Sequence, residues 1–146
     1  MIIILIGFDV FLIYMTYKLP IYILLSCIIL CILNLLSLLL TLFINPGFPD
    51  MSKNYFPLLE YNTLNQEVKH KLKYCSLCEI LISKSRSTVV HCTHCNFCIE
   101  GYDHHCGVLG KCIGKKNIFF FYAYSALIVL DFIFIMVSSV YTASKN

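Results

Sequence analysis

Apolar residues fall into three long runs, and nearly all the charge lies between the second and the third. Residues 1–17 are apolar apart from Asp9 and a few hydroxyls. A spanning helix needs about 20 apolar residues, with roughly 17 as the lower limit. The run carries neither the basic start nor the small-residue cleavage site of a signal peptide, so a retained helix is predicted. Lys18-Leu19-Pro20 breaks it, because proline lacks the amide donor that a helix interior needs. Residues 21–44 form the strongest predicted span, with Asn34 and small hydroxyls as their polar content, and Asn45-Pro46-Gly47 ends them as a turn. A third span is predicted over residues 118–141, with Asp131 near its middle.

The bulk numbers agree with this pattern. The chain has 146 residues, of which 59% are hydrophobic and 13% charged, and its mean hydropathy is +0.79. Soluble domains carry about 25% charged residues. The net charge of +3 is modest, and the basic residues alternate with Glu60, Glu67, Glu79, Glu100 and Asp103. Apposition to a lipid bilayer accounts for them, and no nucleic-acid partner is expected. Between the first two runs there is only Lys18, whereas the long connection holds Lys53, Lys69, Lys71, Lys73, Lys84, Arg86, Lys111, Lys115 and Lys116. The positive-inside rule therefore places the connection and the amino terminus in the cytosol and the carboxyl terminus across the membrane. Asp9, Asn34 and Asp131 fall at hydrocarbon depth; such groups mark functional sites or bond between helices, and inter-helix bonding is expected here.

The connection must be held together by something other than a hydrophobic core. It contains Cys75, Cys78, Cys92, Cys95, Cys98, Cys106 and Cys112, with His70, His91, His94, His104 and His105. Few large apolar side chains accompany them, too few to fold a segment this small. Disulfides suit an oxidising compartment, but cytosolic thiols stay reduced. Cys75-x-x-Cys78 and Cys92-x-x-Cys95 have zinc-knuckle spacing, and the thiols and imidazoles that follow supply two tetrahedral sites. Spacing alone does not pair the ligands. Cys27 and Cys31, one turn apart in the second span, read as small packing residues.

Asp103-His104-His105-Cys106 admits two readings. Cys106 is another ligand with Asp103 behind a ligating imidazole, or it is a nucleophile whose proton passes to a histidine oriented by a carboxylate. From spacing the two stand level.

The stretch from Cys75 to Phe121 resembles the cysteine-rich core of the DHHC-type protein S-acyltransferases, or palmitoyltransferases. The resemblance rests on Cys75-Ser-Leu-Cys78, on His91-Cys92-Thr-His-Cys95-Asn-Phe-Cys98, on Asp103-His104-His105-Cys106 and on Cys112-Ile113-Gly114-Lys115-Lys116-Asn117. Asn45-Pro46-Gly47 is similar to that family's DPG motif, with Asn in place of Asp. The resemblance implies one structural zinc on Cys75, Cys78, His91 and Cys98, and a second on Cys92, Cys95, His105 and Cys112. His94 is then left at the surface. It further implies that Cys106 is the catalytic nucleophile, His104 its base and Asp103 the group orienting His104. Acyl-CoA would acylate Cys106, and a cysteine of a membrane-associated protein would take the acyl group. Lys115 and Lys116 could attract CoA phosphates, although lysines beside a helix end commonly mark topology or meet anionic lipid.

The predicted fold class is thus an α-helical integral membrane protein with three transmembrane helices and a small cytosolic zinc-stapled domain between the second and third. Its parts are residues 1–44 with two spans, a linker over 45–74, the cysteine-rich domain over 75–117, the third span over 118–141 and a tail over 142–146. An endomembrane (ER or Golgi) or plasma-membrane location is expected. Some family features differ. The Pro-Pro-Arg element is replaced by Ser83-Lys84-Ser85-Arg86, and the usual Pro-Trp-Val-Gly-Asn after the signature by Gly107-Val108-Leu109-Gly110-Lys111. The family's fourth helix and TTxE tail do not follow the third run, so the chain reads as truncated or as a degenerate relative. A catalytically silent zinc-bearing membrane adaptor is the alternative function, and a ubiquitin-ligase-like module ranks behind it.

Overall fold

The computed structural model describes residues 20–83 and 89–144. The predicted first span and Asp9 lie outside the described residues, as do Lys84 and Arg86. The chain divides into two units, one containing the long helices and one comprising Ile44–Ile118.

The long helices are α1 (Ile21–Phe43) and α5 (Ile118–Ala143). At 1.5 Å per residue they are roughly 34 and 39 Å long, enough for a hydrocarbon core of about 30 Å. Their burial is the reverse of a soluble bundle. On α1 the buried side chains are Cys27, Cys31, Asn34, Ser37, Leu38 and Thr41, while Ile29, Ile32 and Leu36 are exposed. On α5, Tyr124, Asp131 and Ser138 are buried and Phe132, Ile133 and Val137 exposed. Small and polar groups face inward and branched apolar groups outward, as expected where the surrounding solvent is lipid. Positions 27, 34 and 41 and positions 124, 131 and 138 each repeat every seven residues, the spacing of a helix–helix seam. Asn34 donates its side-chain amide to the Asp131 carboxyl across this seam. Cys27 and Cys31 lie against Phe134 and Ile135, which is the packing role expected of them. The seam hydroxyls bond back one turn, Ser37 to the Leu33 carbonyl at 2.6 Å and Thr41 to the Ser37 carbonyl at 2.8 Å.

The second unit begins with the Asn45-Pro46-Gly47 turn. The Asn45 side-chain oxygen accepts from the amides of Gly47 and Phe48 at 2.7 and 2.9 Å. That Asx turn needs only an acceptor oxygen, so Asn serves as well as Asp. The region expected as a plain linker contains three short helices, α2 (Met51–Asn54), α3 (Leu58–Thr63) and α4 (Gln66–Lys71). Asp50 and Asn65 cap the first and last of these through their side chains, local bonds that apolar periodicity does not register.

Three antiparallel hairpins follow: β1 (Leu72–Cys75) with β2 (Ile80–Ser83), β3 (Val89–Cys92) with β4 (Phe97–Glu100), and β5 (His104–Cys106) with β6 (Lys111–Ile113). Their apolar cores are small. Ile80 and Val89 are buried with Cys98, and Ile99 with Cys92 and Cys112. Thiols make up much of the interior, which is why the fold needs a further fastening.

Candidate functional site

The hairpins are repeats of one device. Each first strand ends in a cysteine (Cys75, Cys92, Cys106), and a four-residue loop follows. The last loop residue has positive φ each time: Glu79 at 50°, Asn96 at 57° and Gly110 at 63°. In the first two loops the third residue is a second cysteine, Cys78 or Cys95. In the third loop it is Leu109. Hairpins two and three also share a His-Cys step and a cysteine seven residues after the histidine. Strand pairing sets His91 opposite Cys98 and His105 opposite Cys112.

This repeat explains how the ligands divide. Successive strand residues point to opposite faces. In hairpin two, His91 and Cys98 therefore turn one way and Cys92 the other. The structure gathers Cys75, Cys78, His91 and Cys98 into one set of four and Cys92, Cys95, His105 and Cys112 into another. Each set combines the knuckle of one hairpin with the cross-strand His/Cys pair of the next. Hairpin two supplies residues to both and so ties the unit into a ladder. Within each set the four donor atoms lie within 4.8 Å of one another.

The spacing fits zinc. Bond lengths of about 2.3 Å to sulfur and about 2.05 Å to nitrogen give a tetrahedral S···N edge of about 3.6 Å. In the first set His91 Nδ1 stands 3.6, 3.3 and 3.8 Å from the sulfurs of Cys75, Cys78 and Cys98. In the second, His105 Nδ1 stands 3.7, 3.3 and 3.7 Å from Cys92, Cys95 and Cys112. Burial pushes the Cys98 and Cys112 thiols up, and the neighbouring sulfurs of Cys75 and Cys78, or Cys95 and Cys92, push them further. Burial also acts to raise Cys75, but hydrogen bonds from the Cys78 amide and the Cys98 thiol leave it lowered. Crowded thiols of this kind are relieved when a soft cation replaces their protons.

Cys106 ends the first strand of hairpin three, in the place of a knuckle's first cysteine, but Leu109 offers no second thiol. It belongs to neither set of four. By the same alternation, His105 and Cys112 occupy the face of the hairpin turned to the second set of four, and His104, Cys106 and Lys111 the opposite face. Cys106 is buried. His104 Nδ1 meets the Asp103 carboxylate at 3.0 Å, with both side chains partly open to solvent. Cys106 is paired across the hairpin with Lys111, whose ammonium donates to the Ile44 carbonyl at 2.6 Å. Burial holds that ammonium below the usual lysine range. His94 is exposed, and its ring stacks on His105 with centroids 4.8 Å apart.

The residues after Cys112 form a tight junction. Asn117 is fully buried; its side-chain oxygen accepts from the Gly114 amide at 2.9 Å and its side-chain amide donates to the Cys112 carbonyl at 3.1 Å. Glu100 donates its amide to the Gly47 carbonyl at 2.7 Å, and Lys116 its amide to the Pro46 carbonyl at 3.2 Å. The NPG turn is thereby sewn to the end of the cysteine-rich region. Lys115 approaches Glu100 at 3.8 Å, and the side chains of Lys115 and Lys116 are exposed. The repeated His-Cys-x5-Cys spacing is the sequence signal for the hairpin device, whereas the contacts of Asn117 and Lys111 depend on the fold.

Comparison with known proteins points to one family. The family model described as DHHC palmitoyltransferase matches residues 68–146. The chain is 40% identical over 80 residues to palmitoyltransferase ZDHHC18-B of Danio rerio, covering 55% of this chain and 20% of that protein. It is 35% identical over 91 residues to palmitoyltransferase ZDHHC9 of Homo sapiens, covering 62% and 24%, and 43% identical over 70 residues to human palmitoyltransferase ZDHHC14, covering 45% and 14%. The chain thus spans no more than about a quarter of the length of these relatives.

Proposed function

The chain belongs to the DHHC palmitoyltransferase family, and from that premise we propose that it is a protein S-acyltransferase working through an acyl-Cys106 intermediate. The observation that carries the reading is the exclusion of Cys106 from both ligand sets, two residues along strand β5 from a histidine held by a carboxylate. The relatives carry the name palmitoyltransferase, which supports a long-chain acyl-CoA as donor.

With Nδ1 engaged by Asp103, the proton-accepting nitrogen of His104 is Nε2. It removes the proton from the Cys106 thiol as the sulfur attacks the acyl-CoA thioester carbon. A tetrahedral adduct forms and collapses, the bond to the CoA sulfur breaks, and the proton returns from His104 to the departing CoA thiolate. The acyl group is then a thioester of Cys106. In the second half, a substrate-protein cysteine loses its proton to His104 and attacks the same carbonyl, and Cys106 leaves as a thiolate that recovers the proton. The two exchanges form a ping-pong sequence without net redox change. Asp103 fixes the histidine tautomer and stabilises the imidazolium formed at each stage.

Cys75, Cys78, His91 and Cys98 would hold one zinc, and Cys92, Cys95, His105 and Cys112 the other. Bound zinc would be structural, stiffening the hairpins that carry Cys106. The basic residues of the connection favour a cytosolic position for this unit, where acyl-CoA and cysteines of membrane-associated proteins are both available. Lys115 and Lys116 are exposed and are the candidates for the CoA phosphates.

The test is metabolic labelling with an alkynyl palmitate. Hydroxylamine-sensitive label should appear on the wild-type protein and be absent from Cys106→Ser. Equal labelling of the two would remove Cys106 from the mechanism.

A further inference from the structure

We propose that Lys111 is a positioning residue of the acyl-transfer site, which fixes where Cys106 stands by fastening strand β6 to the Ile44 carbonyl. The inference rests on the reading of Cys106 as nucleophile.

The hairpin repeat singles Lys111 out. In hairpin one the residue paired with the knuckle's first cysteine is Ile80, opposite Cys75; in hairpin two it is Phe97, opposite Cys92. In hairpin three the same place, opposite Cys106, holds Lys111. A charged group takes a partly buried position in a small domain only with a partner that compensates its desolvation. The Ile44 carbonyl is such a partner, 67 residues away in the chain and 2.6 Å from the ammonium.

That bond fastens a face that metal does not reach. Strands β5 and β6 pair over three residues each, too few for a hairpin to hold its own shape. Zinc on His105 and Cys112 would fix one face. Cys106 lies on the other, where Lys111 joins it to the segment that enters the Asn45-Pro46-Gly47 turn. The bond to Ile44 extends the seam already made by Glu100 on the Gly47 carbonyl and Lys116 on the Pro46 carbonyl. The nucleophile is thereby held from both sides of its hairpin. Acyl transfer needs sulfur, imidazole and thioester carbon aligned, and a 1 Å error costs about 10²-fold. Alkylation by a small reagent carries no such requirement.

The experiment compares full-length wild type, Lys111→Met, Lys111→Arg and Cys106→Ser in detergent micelles. Zinc per chain, the rate of Cys106 alkylation by iodoacetamide, and the rate of Cys106 acylation by palmitoyl-CoA are measured, the last two by peptide mass spectrometry. Lys111→Met should retain its zinc and be alkylated within about twofold of wild type, while acylation at saturating palmitoyl-CoA falls about 10- to 100-fold. Lys111→Arg should recover most of that loss, because its side chain can still reach a carbonyl. Acylation within twofold of wild type in Lys111→Met would overturn the inference. So would alkylation falling in step with acylation, which would mean an effect on the thiol itself. A loss confined to low palmitoyl-CoA would assign Lys111 to acyl-CoA binding, and a loss of zinc would assign it to folding; either overturns the positioning role. Failure of the parent reading looks different: wild type itself would show no acylation at Cys106.

Discussion

Replacing Gly114 by alanine probes the junction on which the cysteine-rich unit closes. A methyl group on Gly114 would lie 2.6 Å from Ile99 Cγ2, 2.6 Å from the Pro46 carbonyl oxygen and 3.1 Å from the Glu100 carbonyl oxygen. Carbon contacts are comfortable at about 3.5–4.0 Å. Ile99 is fully buried, and two of the three obstacles are backbone, so no flexible side chain can simply swing aside. Overpacking of this kind costs about 1–3 kcal/mol. Moving Pro46 also endangers the bonds from Lys116 to Pro46 and from Glu100 to Gly47, each contributing about 1 kcal/mol. The sum is roughly 2–5 kcal/mol, or an opening equilibrium raised about 30-fold to a few thousand-fold. The control is Gly107→Ala, because an added methyl there meets nothing within 4 Å. The assay is alkylation of the buried thiols Cys98 and Cys112 in the metal-loaded protein, which proceeds only through opening. Gly114→Ala should accelerate it by the stated factor and Gly107→Ala leave it nearly unchanged. Equal protection in the two variants would refute the packing argument.

The hairpin repeat supplies a gain-of-function expectation: Leu109→Cys completes the third knuckle, so micromolar cadmium should block alkynyl-palmitate labelling of that variant while sparing wild type, and equal sensitivity would break the repeat analogy. In the membrane seam, Asp131→Asn should keep an amide partner for Asn34, whereas Asp131→Leu leaves Asn34 buried and unpaired and lowers thermal stability by about 1–2 kcal/mol; indistinguishable melting of the two would argue against the pair. Thiols whose proton affinity burial raises, Cys98 and Cys112 above all, must lose protons to bind metal, so zinc affinity should rise with pH and fall on acidification, read as chelator-accessible zinc across a pH series. A flat profile would contradict thiolate ligation.

What the sequence disclosed follows how local each signal is. The spans at residues 21–44 and 118–141 are continuous apolar runs, and α1 and α5 begin and end within two residues of them. Their hydrocarbon depth marks Asn34 and Asp131 as inter-helix bonding groups, as the bond between them bears out, but composition does not reveal the inward turn of Thr41, because an apolar run reads the same from both faces. The two sets of four ligands were implied by family resemblance; spacing left their pairing open, since nothing in a CxxC says which later histidine joins it. The repeat that resolves this was present as His91-Cys92 with Cys98 and His105-Cys106 with Cys112, but its meaning depends on strand alternation. In the sequence Lys111 counts as one of the connection's positive charges and as a departure from a familiar pattern. Its bond to Ile44 has no local signature, because the partner is 67 residues distant. The caps at Asp50 and Asn65 that divide residues 45–74 into short helices are side-chain bonds, invisible to hydropathy.

The central claim is that two metal ions take six of the seven cysteines between Cys75 and Cys112 and leave Cys106 to react. Purified protein should contain two zinc ions per chain, and brief iodoacetamide treatment should modify Cys106 while sparing Cys75, Cys78, Cys92, Cys95, Cys98 and Cys112 until a chelator is added. Zinc well below two per chain, or a Cys106 that stays protected alongside the other six until the metal is removed, would contradict it.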